Sequence, residues 1–99
     1  MNIAQNEIHT FKLITGEELV AKIVKIDDGV IVVKQPVTTG ITPQGLQMMP
    51  SLLTANMDKE VLLYAASIAM ICDTREDVRN SYIQATTGIA PVTKQIITG

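Results

Sequence analysis

The stretch Phe11–Pro36, FKLITGEELVAKIVKIDDGVIVVKQP, decides how this chain folds. Its apolar residues recur with a period of two, which places them on the faces of strands and not along one stripe of a helix. Thr15-Gly16-Glu17-Glu18 interrupts the pattern once and Asp27-Asp28-Gly29 a second time. Asp-Gly between two β-rich runs is a hairpin signal, because glycine reaches positive φ without steric cost; a type I′ turn is expected there. Leu19, Ala21 and Ile23 alternate with Val20, Lys22, Val24 and Ile26, so the second strand, Leu19–Ile26, is apolar on both faces. A solvated antiparallel strand alternates apolar with polar, so this one is either covered on two sides or strongly curved. Val30–Gln35 forms the third strand, which Pro36 is expected to stop because it has no N–H for a ladder.

Outward from this meander, Ile8–Ile14 reads as the first strand, with His9, Phe11 and Leu13 on one face. Phe11 and Leu13 are core candidates, whereas His9 is expected at an exposed or interface position. Met1–Glu7 is polar, lacks the apolar segment of a secretory signal, and is expected to fray or dock loosely. Val37–Gln47, rich in Thr, Gly, Pro and Gln, reads as a loop. Leu46–Ala55 is a fourth strand bent around Pro50, Asn56–Lys59 a turn, and Val61–Ile68, extending at most to Ile71, a fifth strand. The period then changes to that of a helix over residues 73–88, with Asp73 or Thr74 as cap, Val78, Tyr82 and Ala85 on its apolar stripe, and Gly88 as its stop. Ile89–Gly99 reads as a disordered tail or a short strand on a neighbour. These elements predict a mainly β fold: one domain spanning 1–99, a small, strongly bent five-stranded barrel over residues 8–71, and one C-terminal helix.

Bulk properties bound the function. The chain is 46% hydrophobic but only 3% aromatic, so its core is built from aliphatic side chains. A net charge of -2 and a pI near 5.2 argue against a surface that is basic throughout, as nucleic-acid-binding domains typically are. The single cysteine, Cys72, excludes an internal disulfide and is expected as a small buried residue in a reducing cytoplasm. The apolar run Val61–Cys72 falls well short of the roughly 20 residues that span a bilayer, so it belongs to the core and no membrane partner is expected.

No constellation points to catalysis. Asp27 and Asp28 are neighbours in a tight turn and point apart, His9 is the only histidine, and no phosphate loop, nucleophile elbow or metal-ligand spacing occurs. The expectation is a non-enzyme with no cofactor and no metal. Lys12, Lys22, Lys25 and Lys34 lie on three successive strands, where symmetry in a ring would gather them into a basic annulus. Arg75 and Arg79, interleaved with Glu76 and Asp77, read as a solvated helix face, and Met48 and Met49 as core or interface filler.

The strand, Thr-Gly-Glu-Glu turn, strand, Asp-Asp-Gly turn and Val-rich strand of Phe11–Pro36 resemble the first motif of Sm-like (LSm) proteins. A likeness to small bacteriophage-type members of that family extends through LLYAASIAMICDTREDVRNSYIQ. This resemblance implies a bent five-stranded barrel whose subunits join through their fourth and fifth strands into a homo-oligomeric ring, with a role in RNA binding or RNA metabolism in the cytoplasm of a host cell. It implies an interface containing Leu52, Leu53, Val61, Leu62, Leu63 and Tyr64, and nucleic-acid contacts at Lys25, Asp27 and Lys34. The sequence departs from the family in lacking an N-terminal helix, an Asn soon after Asp27 and an Arg-Gly pair in the later turn, which is Asn56-Met57-Asp58-Lys59. The alternative is a ring that organises protein partners without RNA affinity.

Overall fold

The computed structural model describes residue 3 and residues 6–87. Six strands form one antiparallel sheet: β1 (Ile8–Leu13), β2 (Glu18–Asp27), β3 (Val30–Thr42), β4 (Gly45–Pro50), β5 (Glu60–Tyr64) and β6 (Ile68–Asp73), followed by helix α1 (Glu76–Thr87). The sheet runs β4-β3-β2-β1-β6, and β5 pairs with β3 beyond the segment occupied by β4. Mainly β architecture with one C-terminal helix is therefore present, with six strands where five were expected. The tail Ile89–Gly99 and the helix stop at Gly88 lie outside the described residues.

The double-sided apolarity of β2 has a direct structural cause. Its inward face, Leu19, Ala21 and Ile23, packs with Phe11, Ile31 and Val33 into the main core. Its outward face is covered at Val20 by α1, where Tyr82 and Val37 complete a second cluster flanked by Ile8, Met48 and Val78. The strand is thus buried on both faces around Leu19–Ala21, whereas Lys22 and Ile26 on the outward face are exposed and Val24 is half-buried. Removing either cover exposes aliphatic surface at about 25 cal/mol per Å².

Pro36 does not end β3. Ala21 of β2 faces both Gln35 and Pro36, since Val20 pairs with Val37 and Lys22 with Lys34, so the extra residue makes a bulge. Gln35 adopts φ 51° there, and Pro36, which needs no ladder acceptor, offers its carbonyl to the Ser51 N–H at 2.9 Å. The extra residue also reverses the pleat. Ile31 and Val33 face the main core, yet Val37 faces the helix, which a regular strand would forbid.

The expected loop Val37–Gln47 is instead the rest of β3, a tight turn and the start of β4. The Thr42 hydroxyl accepts from Gln44 N–H at 3.2 Å and donates to the Gly45 carbonyl at 3.0 Å, while Gly45 takes φ 111°. The fourth strand stops at Pro50 instead of Ala55, so Leu52 and Leu53 lie in the connection that follows. The expected fifth strand is divided by a 3-10 turn, Ala65–Ser67, whose Ser67 hydroxyl caps the Tyr64 carbonyl at 2.8 Å. The division turns the chain from the β3 edge to the β1 edge.

Of the N-terminal stretch Met1–Glu7, expected to fray or dock loosely, Asn6 and Glu7 are docked, their backbones exchanging hydrogen bonds with Ile23 at 2.6 and 2.8 Å, while Met1, Asn2, Ala4 and Gln5 lie outside the described residues. Three smaller expectations change. The Asp28-Gly29 turn is not type I′, because Gly29 has φ 74° but Asp28 is not among the positive-φ residues. The helix cap shifts to Arg75, whose carbonyl accepts the Arg79 N–H at 2.9 Å; Thr74 instead bonds Thr10 through their hydroxyls at 2.9 Å, and Asp73 ends β6. Cys72 is exposed, because it stands opposite Thr10 on the uncovered end strand β6.

Candidate interaction surfaces

The helix packs on the sheet through Tyr82 and Val78, and the Tyr82 hydroxyl adds buried hydrogen bonds to the strands beneath it. Tyr82, 2% exposed, accepts from the Lys22 N–H at 3.1 Å and lies 3.0 Å from the carbonyls of both Lys34 and Gln35, to which its one proton can be donated. These are backbone groups of both strands where the bulge meets the paired Lys22 and Lys34, so the hydroxyl bridges β2 and β3 at the register shift. Burial pushes its pKa up to about 12, against the opposing effect of the Lys22 N–H. The Gln35 side chain adds a bond to the Thr86 carbonyl at 3.2 Å, near the helix end.

The bulge register places Lys22 directly opposite Lys34, both exposed. Lys34 faces Glu60 on its other side, across β5, and Lys12 is paired in register with Glu18. Lys25 and Asp27 are bound to each other at 3.2 Å, and Lys25 stands opposite Val32, two residues before Lys34 on β3. Of the three residues expected to meet nucleic acid, Lys25 and Asp27 thus share an ion pair on β2, and Lys34 lies on the neighbouring strand β3. At the start of α1, Arg75 chelates Asp77 with two bonds and holds that carboxyl below the usual carboxylate range, as befits a solvated helix face.

The expected interface residues divide by face. Val61 and Leu63 pack inward against the main core. Leu62 and Tyr64 point outward, 56% and 58% exposed, and Met70 on β6 is 66% exposed. Leu52 and Leu53 are also exposed, as are Ile41 and Leu46 on the β3-β4 arm and Met49, whereas Met48 is half-buried. Among the described residues β5 pairs only with β3 and β6 only with β1, so each keeps a free edge.

His9 is buried, not exposed: β1 lies between β2 and β6, opposite Ala21 and Asp73, and the ring is only 2% exposed. Neither ring nitrogen has a hydrogen-bond partner, and the nearest carboxylate oxygen, on Asp73, is 3.6 Å from Nδ1. No group of three or more His, Cys, Asp or Glu side chains arranged to hold a metal ion occurs among the described residues. Among the same residues, no helix is long and apolar enough to cross a membrane. No protein-family model matches the chain, and no curated protein sequence is similar to it.

Proposed function

We propose that this protein is a non-catalytic, Sm-like subunit that assembles edge to edge into a homo-oligomeric ring and that the ring binds RNA. The observation that carries the reading is the placement of β5 and β6. They are consecutive strands joined by a 3-10 turn, yet they flank opposite ends of the β3-β2-β1 path, each with a free edge and outward apolar side chains at Leu62, Tyr64 and Met70. A sheet bent back on itself in this way is consistent with an open, Sm-like barrel. Free strand edges beside apolar side chains favour pairing with another chain, and head-to-tail pairing of β5 with the β6 of the next subunit leaves neither of these two edges free once the ring closes.

Leu62→Glu combined with Met70→Glu, followed by sedimentation velocity, tests the interface. Dissociation to monomers supports the reading, and an unchanged sedimentation coefficient contradicts it. A second reading, a ring for protein partners without RNA affinity, is favoured by the Lys25 to Asp27 ion pair, which occupies the Asp that the family resemblance assigns to RNA. Titration of uridine-rich and adenine-rich oligoribonucleotides separates the two: salt-dependent binding favours RNA, and its absence favours the scaffold.

A further inference from the structure

We propose that the opposed lysines Lys22 and Lys34, at the foot of α1, form the phosphate-contact site of this protein, taking adjacent phosphates of a single RNA strand. The inference rests on the RNA reading above and assigns it a place on the molecule. Directly opposed residues in an antiparallel pair carry their Cβ atoms about 4.5–5.5 Å apart, and like charges at that separation oppose pairing. The β2-β3 register imposes this arrangement on Lys22 and Lys34, both exposed. Neither ammonium has an ion-pair partner among the described residues. Glu60, in register with Lys34, supplies the only acidic neighbour across the strands, and nothing faces Lys22 from β1 except Ile8.

The other lysines on these strands are differently placed. Lys25 is paired with Asp27 at 3.2 Å, and Lys12, between Glu18 and Met70, has no lysine opposite it. The backbones of Lys22 and Lys34 are also fixed in place, because the Tyr82 hydroxyl contacts the amide of one and the carbonyl of the other. Two cations held on a rigid ladder with their charges unsatisfied suit a ligand of repeated negative charge, and an anion between them relieves the repulsion that the register creates. Repetition around a ring multiplies a weak contact by effective concentration.

The test is fluorescence-anisotropy binding of a uridine-rich and an adenine-rich oligoribonucleotide over a range of salt. It compares the unaltered protein, Lys22→Gln/Lys34→Gln, Lys22→Arg/Lys34→Arg and Lys59→Gln. Loss of two phosphate contacts reduces the slope of log K against log salt by about 1.4, at about 0.7 per phosphate, or about sevenfold over a fourfold change in salt. The expected result is that loss in the glutamine pair, its restoration in the arginine pair, and no change in Lys59→Gln, an exposed lysine of the Asn56–Lys59 turn, with all variants melting as cooperatively as the unaltered protein. Salt-dependent binding with an unchanged slope in the glutamine pair overturns this site while leaving the RNA reading standing. Absence of salt-dependent binding by the unaltered protein overturns both.

Discussion

Replacing Tyr82 with Phe removes one oxygen atom and nothing else from the helix-sheet contact. The ring continues to fill the pocket formed with Val20 and Val37, so the effect isolates the hydroxyl. That hydroxyl satisfies the Lys22 N–H at 3.1 Å and donates to the Lys34 or Gln35 carbonyl at 3.0 Å, at the register shift between β2 and β3. A net intramolecular hydrogen bond contributes about 1 kcal/mol, and leaving a buried donor unpaired costs about 1–3 kcal/mol. The expected loss is therefore roughly 2–3 kcal/mol, a large share of the roughly 5–15 kcal/mol that a domain of this size has in total. At about 4–8 °C per kcal/mol, Tm falls by roughly 8–24 °C. Urea unfolding gives the free energy, and amide hydrogen exchange at Lys22 locates the loss. A Phe variant within 0.5 kcal/mol of the unaltered protein (~ the scatter of a neutral surface change), with Lys22 exchange unchanged, refutes the claim that this hydroxyl bridges the two strands.

Three further outcomes follow from the same geometry. Because the folded pKa of Tyr82 is raised to about 12 from 10, its neutral form stabilises the fold fully below pH 10 and less at each step above it. The loss is at most about 1.4 kcal/mol per pH unit between those values, and Tyr82→Phe removes that part of the alkaline slope in pH-dependent urea denaturation. His9→Leu raises stability by about 1 kcal/mol, since it replaces two unpartnered buried nitrogens with an apolar side chain of similar size; a lowered urea midpoint contradicts this. Gly29→Ala costs about 1–2 kcal/mol through its φ of 74° alone, because no atom lies within 4 Å of the added Cβ, and thermal melting measures it.

The parts of the fold legible in the sequence are those in which one face is buried and the other has a definite fate. Phe11, Leu19, Ala21 and Ile23 declared the main core through period two, and Val78 and Tyr82 declared the helix stripe. The β3-β4 arm was not legible, because Thr38, Thr39, Gly40 and Thr42 form a solvated ribbon whose polarity is that of a loop. The bulge was hidden because nothing local distinguishes Gln35 as a residue at φ 51°, and Pro36 is a stop signal in an ordinary strand. VLLYAASIAMIC carries no break at Ala65–Ser67, so one long strand was the natural reading of what are two. Burial of His9 and apposition of Lys22 with Lys34 depend on which strands flank β1 and on the register the bulge sets, and both are tertiary facts. The lysines themselves could be named from the sequence, but not their pairing.

Edge-to-edge assembly is the claim from which the interface, the annular repetition of the lysines and the fate of the free β5 and β6 edges all derive. Light scattering coupled to size exclusion at micromolar concentration tests it most directly. The expected result is one sharp species whose mass is a whole multiple of the 10.7 kDa chain and does not change on dilution within that range. A species of 10.7 kDa contradicts it.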